Sequence, residues 1–133
     1  MNSDHATIVR QVYDAFAQGD VPAVLGALDQ NIHWQEAEGT VYAEGNPYIG
    51  PTAVLQGIFG RLAGEWDQFA VKPEEILATP EGALALGRYS ATYKATGRRI
   101  DAQFAHVWRL ADGKVTGFRQ YTDTAQFNQA MGK

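Results

Sequence analysis

The sequence predicts an α+β layer fold, with helices first and a meander of antiparallel strands after. Three observations carry that expectation. Apolar residues in the first half recur at helical spacing, those in the second half alternate at the period of strands, and compact turn signals punctuate the second half.

The elements follow in order. Ser3 or Asp4 is placed to cap a first helix, in which Ile8, Val12 and Phe16 recur at spacing four with Val9 and Tyr13 alongside. Gly19–Asp20 ends it. Pro22 suits the first turn of a second helix with Val24, Leu25 and Leu28 on its apolar side. "NIHWQE" at 31–36 reads as a short strand. Residues 37–50 carry Gly39, Gly45, Pro47 and Gly50 and read as a long loop. Pro51 opens a third helix, with Val54, Leu55, Ile58, Phe59 and Leu62 in register. "FAVKPEEILAT", "ALALGRYSATYKAT", "RIDAQFAHVWRL" and "KVTGFRQYT" then read as four strands. "PEG", "TGR" and "ADGK" separate them, the last two as tight hairpin turns. "DTAQFNQAM" closes as a short helix with Asp123 at its cap. A long curved sheet laid over the helices would leave a cone-shaped hollow.

Composition narrows the functional classes. The 133 residues fit one domain spanning 1–133, long enough to bury a core and enclose a small cavity. The net charge of −4 and a single basic pair, Arg98–Arg99, argue against nucleic acid. With no Cys, thiolate nucleophiles and disulfides are excluded. His5, His33 and His106 lie far apart and form no His-x-His pair, and no Gly-rich phosphate loop follows a strand. Neither a metal nor a cofactor is therefore expected. The start lacks the pattern of a signal peptide, and no apolar run approaches the ~20 residues of a membrane helix. The expected location is the cytoplasm, with no membrane partner.

Alternation selects candidate pocket residues. On the short strand Trp34 and Glu36 share one face, while His33 and Gln35 take the other. On the third long strand Ala102, Phe104, His106, Trp108 and Leu110 form the more aromatic face, so His106 sits between two aromatic rings. It is either a hydrogen-bonded core histidine or a pocket acid or base. On the preceding strand Leu84, Leu86, Arg88 and Ser90 share a face, and a buried arginine there would need a carboxylate such as Glu36. On the last strand Thr116, Phe118, Gln120 and Thr122 share a face. Arg119, Tyr121 and Asp123 point away from it, and Tyr48 stands where it could fold over the pocket mouth.

In this order and spacing, "AFAQGD" at 15–20, "IHWQE" at 32–36, "YIGPTAV" at 48–54 and "FAHVWRLADGKVTGFRQYTDT" at 104–124 resemble the NTF2-like superfamily, more narrowly its SnoaL-like and ketosteroid-isomerase-related members. The resemblance covers nearly the whole chain. It implies an NTF2-like cone, a curved antiparallel β-sheet packed on three N-terminal helices with a short C-terminal helix, and a homodimer. It implies a general base at Glu36, on the short strand after the second helix. The oxyanion-hole positions of ketosteroid isomerases fall on Val12, beside Tyr13, and on Ala105, so that pair has no counterpart. Against limonene-epoxide-hydrolase relatives Arg88 matches the arginine of an Asp–Arg–Asp triad. Ser90 and Gln120 stand at the two carboxylates, and Trp34 and Glu36 at the Tyr and Asn that hold water.

The combined expectation is a cofactor-independent acid/base enzyme acting beside a carbonyl of a hydrophobic small molecule. Glu36 is its base and His106 the partner acid or orienting group. Arg88 and Gln120 contact a substrate oxygen or hold Glu36, and Trp34, Phe104, Trp108, Phe118 and Tyr48 line the pocket. A non-catalytic ligand-binding or dimeric scaffold domain is the alternative, and an epoxide hydrolase a further one.

Overall fold

A computed structural model describes residues 2–133, with side chains from Asp4 onward. Helix α1 (Asn2–Ala17) is followed by α2 (Val21–Ala27) and strand β1 (Leu28–Gln35). Ser3 and Asp4 fall inside the first turn of α1 rather than before it, so neither stands at its N-cap, and the residue preceding the helix lies outside the described residues. Asp20 caps α2 through its side chain, which accepts from the Ala23 amide at 3.2 Å. Leu28 opens the strand instead of closing the helix.

A 3-10 turn (Val41–Gly45) and the two-residue β2 (Tyr48–Ile49) follow. The third helix then runs as α3 (Pro51–Val54), a wider π-turn (Leu55–Phe59) and α4 (Gly60–Glu65). The long strands β3 (Trp66–Thr79), β4 (Gly82–Tyr93), β5 (Arg99–Ala111) and β6 (Lys114–Thr122) form the expected meander, and α5 (Thr124–Ala130) closes it. Asp112 and Gly113 both have positive φ, 52° and 78°, as the hairpin turn between β5 and β6 requires. No helix among the described residues is long and apolar enough to cross a membrane.

The six strands lie in the order β2-β1-β6-β5-β4-β3. All neighbours are antiparallel except β1 and β6, which run parallel, so the expected antiparallel sheet is mixed at that seam. Register shifts in β3 opposite β4 and in β5 opposite β6 bend the sheet toward the helices. The inner face follows a large-against-small rule. Ala83 pairs with Trp108, Ala85 with His106 and Gly87 with Phe104; the order inverts where Tyr89 pairs with Ala102.

Gly87 is required by that packing. A Cβ there would stand 2.2 Å from the Lys72 carbonyl oxygen and 2.7 Å from the Phe104 ring. Gly26, in α2, has nothing within 4 Å of a Cβ. Chemical denaturation should therefore show Gly87→Ala destabilising by about 1–3 kcal/mol or more through overpacking. Gly26→Ala should be neutral or stabilising by up to about 1 kcal/mol, because helix propensity alone changes.

Candidate active site

The hollow between helices and sheet offers about 60 Å³ in which the centre of a water-sized sphere can sit. Its wall is mostly aromatic and aliphatic, contributed by α1, the π-turn and the inner face of β4–β6. Polar groups enter it at a few points: Tyr13, Glu36, Thr40, Tyr42, Tyr89, His106, Gln120 and Thr122.

Glu36 sits one residue past the end of β1 and is buried. The Asn46 side chain holds its backbone on both sides. Glu36 N–H donates to Asn46 Oδ1 at 2.9 Å, and Asn46 Nδ2 donates to the Glu36 carbonyl at 2.8 Å. Trp34 Nε1 donates to Glu36 Oε2 at 2.8 Å. The alternation that places both residues on one face thus makes the indole the carboxylate's orienting donor. No hydrogen bond reaches the other oxygen, Oε1, among the described residues, and since none of their buried side-chain oxygens is left unsatisfied, Oε1 is open to the cavity. Burial raises the Glu36 carboxyl to about 7, against the smaller lowering effect of the indole bond. The indole itself is fixed by stacking on Phe118, with centroids 3.8 Å apart, and by edge contacts to Phe59 and Trp108.

His106 is the second buried titratable group. Its ring stacks on Phe104 at 4.0 Å with planes 9° apart. Both ring nitrogens meet phenols: Nδ1 lies 2.6 Å from Tyr13 Oη and Nε2 lies 2.5 Å from Tyr89 Oη. No carboxylate touches the ring, and burial lowers its pKa to about 3. Both of its nitrogens are thus occupied and burial favours the neutral ring. Trp108 Nε1 donates to Tyr13 Oη at 2.9 Å, and Gln120 Nε2 donates to Tyr89 Oη at 2.7 Å. Gln120 Oε1 accepts from Ala37 N–H at 3.0 Å, which ties the last strand to the residue after Glu36.

Of the expected site residues, Trp34, Glu36, His106, Trp108, Phe118 and Gln120 meet around the cavity. Three do not. Arg88 is on the outer face of β4, exposed, with Nε on Asp101 Oδ1 at 2.8 Å. The inward face carries Ala83, Ala85 and Gly87, where the bulk of Trp108, His106 and Phe104 leaves room only for small residues, and Tyr89 opposite the small Ala102. Phe104 is buried behind His106 rather than on the cavity wall. Tyr48 is wedged against Gly45 and Gly57, where an added Cβ would stand 2.4 and 2.3 Å from its ring. Its hydroxyl donates to the Tyr42 carbonyl at 2.7 Å, so it braces the loop instead of covering the mouth. Asp123 stands at the N-cap position of α5, but its side chain accepts from Gln126 Nε2 at 3.0 Å and makes no cap bond to the backbone.

Tyr13 and Tyr89 are polar wall residues that the sequence did not place in the pocket; Tyr42, a weaker candidate than Tyr48 in the same loop, is on the wall where Tyr48 is not. Tyr42 donates to Glu65 Oε1 at 2.6 Å and accepts from Trp66 Nε1 at 2.8 Å. The available signal was a tyrosine four residues after an apolar position on α1 (Val9 to Tyr13), and the small-residue face ending in Tyr89 on β4.

An α+β fold of this topology, with a curved mixed sheet packed on helices, is that of NTF2-like proteins. The SnoaL-like domain family matches residues 9–118, and the chain belongs to that family. Among curated proteins none matches it. It is similar to an NTF2-like protein from Burkholderia thailandensis E264, at 33% identity over 96% of each chain with a TM-score of 0.90. An NTF2-like protein of unknown function from Burkholderia pseudomallei K96243 shares 27% identity over 100% of this chain and 99% of its own, with a TM-score of 0.88. A provisionally named polyketide cyclase from Xanthomonas campestris pv. campestris shares the fold at 20% identity over 98% of each chain, with a TM-score of 0.81.

The two buried groups make stability depend on pH in opposite senses. The folded pKa of Glu36 is raised, so its favourable contribution is complete below the unfolded value near 4.5 and is lost as pH rises through about 7. The folded pKa of His106 is depressed, so stability is complete above the unfolded value near 6.5 and falls as pH drops toward 3. Denaturant titrations should show Glu36→Gln stabilising relative to wild type by about 2–3 kcal/mol more at pH 8 than at pH 4. His106→Gln should flatten the loss of stability between pH 6.5 and 4.

Proposed function

We propose that the chain is a cofactor-independent acid/base enzyme of the isomerase or cyclase kind, acting on a compact hydrophobic substrate beside a carbonyl. The observation that carries this reading is Glu36: a buried carboxylate with one oxygen held by an indole and the other unpartnered against an apolar cavity. A base raised to about 7 takes up a proton near neutral pH without being permanently protonated. In the reaction, Glu36 Oε1 removes a proton from the carbon next to the carbonyl. The C–H electron pair becomes the new C=C bond and the carbonyl π pair moves onto the oxygen as an enolate. Isomerisation follows if Glu36 returns the proton to another carbon of the conjugated system; cyclisation follows if the enolate carbon attacks a second carbonyl of the same molecule, whose oxygen then takes the proton back from Glu36. Trp34, Trp108 and Phe118 supply the apolar wall, and Gln120 keeps Glu36's strand end in place. A relative of this fold carrying a provisional polyketide-cyclase name is in keeping with such chemistry. Arg88, turned outward, gives no support to epoxide opening.

Hydrogen–deuterium exchange at the α-carbon of 2-tetralone in D2O, followed by NMR, tests the base directly. Wild-type protein should accelerate exchange with a rise through pH 7. Glu36→Gln, which keeps the side-chain shape, should lower the rate by at least about 100-fold. Exchange that is equal in the two proteins sinks the assignment.

The non-catalytic ligand-binding reading draws on His106, whose nitrogens are both spent on structural bonds. It predicts that 2-tetralone binds without accelerated exchange. A homodimer is part of the proposal on the ground of the outer sheet face, where Leu77 and Tyr121 are about half exposed, at 44% and 51%. Sedimentation should give a dimer at micromolar concentration, and Tyr121→Lys should shift it toward monomer; a wild-type monomer contradicts the assembly.

A further inference from the structure

Counting protons along the chain Trp108–Tyr13–His106–Tyr89–Gln120 leaves one unspent. The indole N–H of Trp108 can only donate, so Tyr13 Oη accepts from it. The amide of Gln120 is oriented by Ala37: a backbone N–H must meet the amide oxygen, so Nε2 faces Tyr89, and Tyr89 Oη accepts as well. Between the phenols lies His106, buried, with no carboxylate against it and therefore uncharged. A neutral imidazole has one N–H and one lone pair. It accepts from one phenol and donates to the other. The phenol that receives its N–H already receives a second donor, and its own proton has no partner among the described residues. Both phenols border the cavity, so that proton is available to whatever occupies it.

We infer that Tyr89 holds this proton and donates it as a hydrogen bond to the substrate's carbonyl oxygen, with His106 in its Nε2–H form and Tyr13 donating to Nδ1. One feature selects Tyr89 over Tyr13: Gln120 links its hydroxyl to Ala37, the residue after Glu36, so this donor and the base are tied to the same strand end. In that tautomer two donor chains end on Tyr89 Oη, Trp108 through Tyr13 and His106, and Ala37 through the Gln120 amide. Hydrogen bonds aligned head to tail polarise one another, which makes the terminal O–H the strongest donor of the set. The inference rests on the proton-abstraction reading above and extends it. As Glu36 takes the carbon-bound proton, charge develops on the oxygen that Tyr89 contacts. The ligand class is thus a ring-sized molecule bearing a carbonyl, enolate or phenolate oxygen.

The test needs no turnover. In the Glu36→Gln background, 4-nitrophenolate binding is followed by its absorbance, and Tyr89→Phe should weaken it at least tenfold while Tyr13→Phe weakens it less. Equal binding with and without the Tyr89 hydroxyl, or a loss confined to Tyr13→Phe, overturns the assignment. Nitrogen-15 NMR of the wild-type protein reads the tautomer independently of any ligand. An Nε2–H signal for His106 is expected; an Nδ1–H form moves the spare proton to Tyr13 and overturns it, even if no variant binds the probe. Failure of the base alone would appear differently, as absent 2-tetralone exchange with the Tyr89 effect on nitrophenolate retained.

Discussion

An imidazole buried without a counter-charge has to stay neutral, and much of this pocket is arranged around that requirement. His106 needs a donor on one side and an acceptor on the other, and α1 and β4 each supply a phenol. Those phenols need their own partners, and the tips of Trp108 and Gln120 supply them. The ring needs apolar cover, and Phe104 and Phe118 provide it from above and beside. Four elements, α1, β4, β5 and β6, are cross-linked through one side chain. A buried hydrogen bond contributes about 1 kcal/mol net, but leaving one of these groups unpaired would cost about 1–3 kcal/mol, so the set stands together.

Glu36 meets the same apolar surroundings with the opposite outcome. Burial disfavours charge on both groups, so the acid moves up and the base moves down. The histidine is carried far out of the neutral range and becomes structural, while the carboxyl is carried into it. One desolvating cavity thus shifts the two groups in opposite directions. The indole of Trp34 limits the shift on Glu36, because it is the one donor that favours the charged form.

Much of this arrangement is legible in the sequence. The inward face of β5 follows from alternation, since Phe104, Trp108 and Leu110 are large and apolar; on β6 the same rule selects Phe118, Gln120 and Thr122, but the register shift opposite Arg109 and Leu110 buries Val115 in place of the expected Thr116. Glu36 follows from sharing a face with Trp34. On β4 the same rule selects Leu84, Leu86 and Arg88, which the sheet turns outward. Its inward face is Ala83, Ala85 and Gly87 because Trp108, His106 and Phe104 already fill the space opposite them. That choice belongs to the pair of strands and not to either one, so reading strands singly hides Tyr89. Tyr48 illustrates a second limit. Its seat exists only because Gly45 and Gly57, which flank it in sequence on two different elements, leave a slot of ring thickness. The parallel seam is likewise invisible to local pattern, as β1 and β6 are chosen as neighbours by the sheet as a whole.

That seam has a consequence for how the molecule assembles. Leu28 pairs with Val115 and Trp34 with Phe118, so the strand that leads to Glu36 has its main neighbour more than eighty residues later. The meander β3–β6 can form from nearby hairpins, but β1 has no long partner until β6 exists. Pairings of such sequence separation are paid for in loop entropy before they return any contact, and they form slowly. On a ribosome, where the chain emerges from its start, the Glu36 segment waits for nearly the whole sheet to be made. A half-made chain therefore presents helices and hairpins, but no carboxylate seated in an apolar wall.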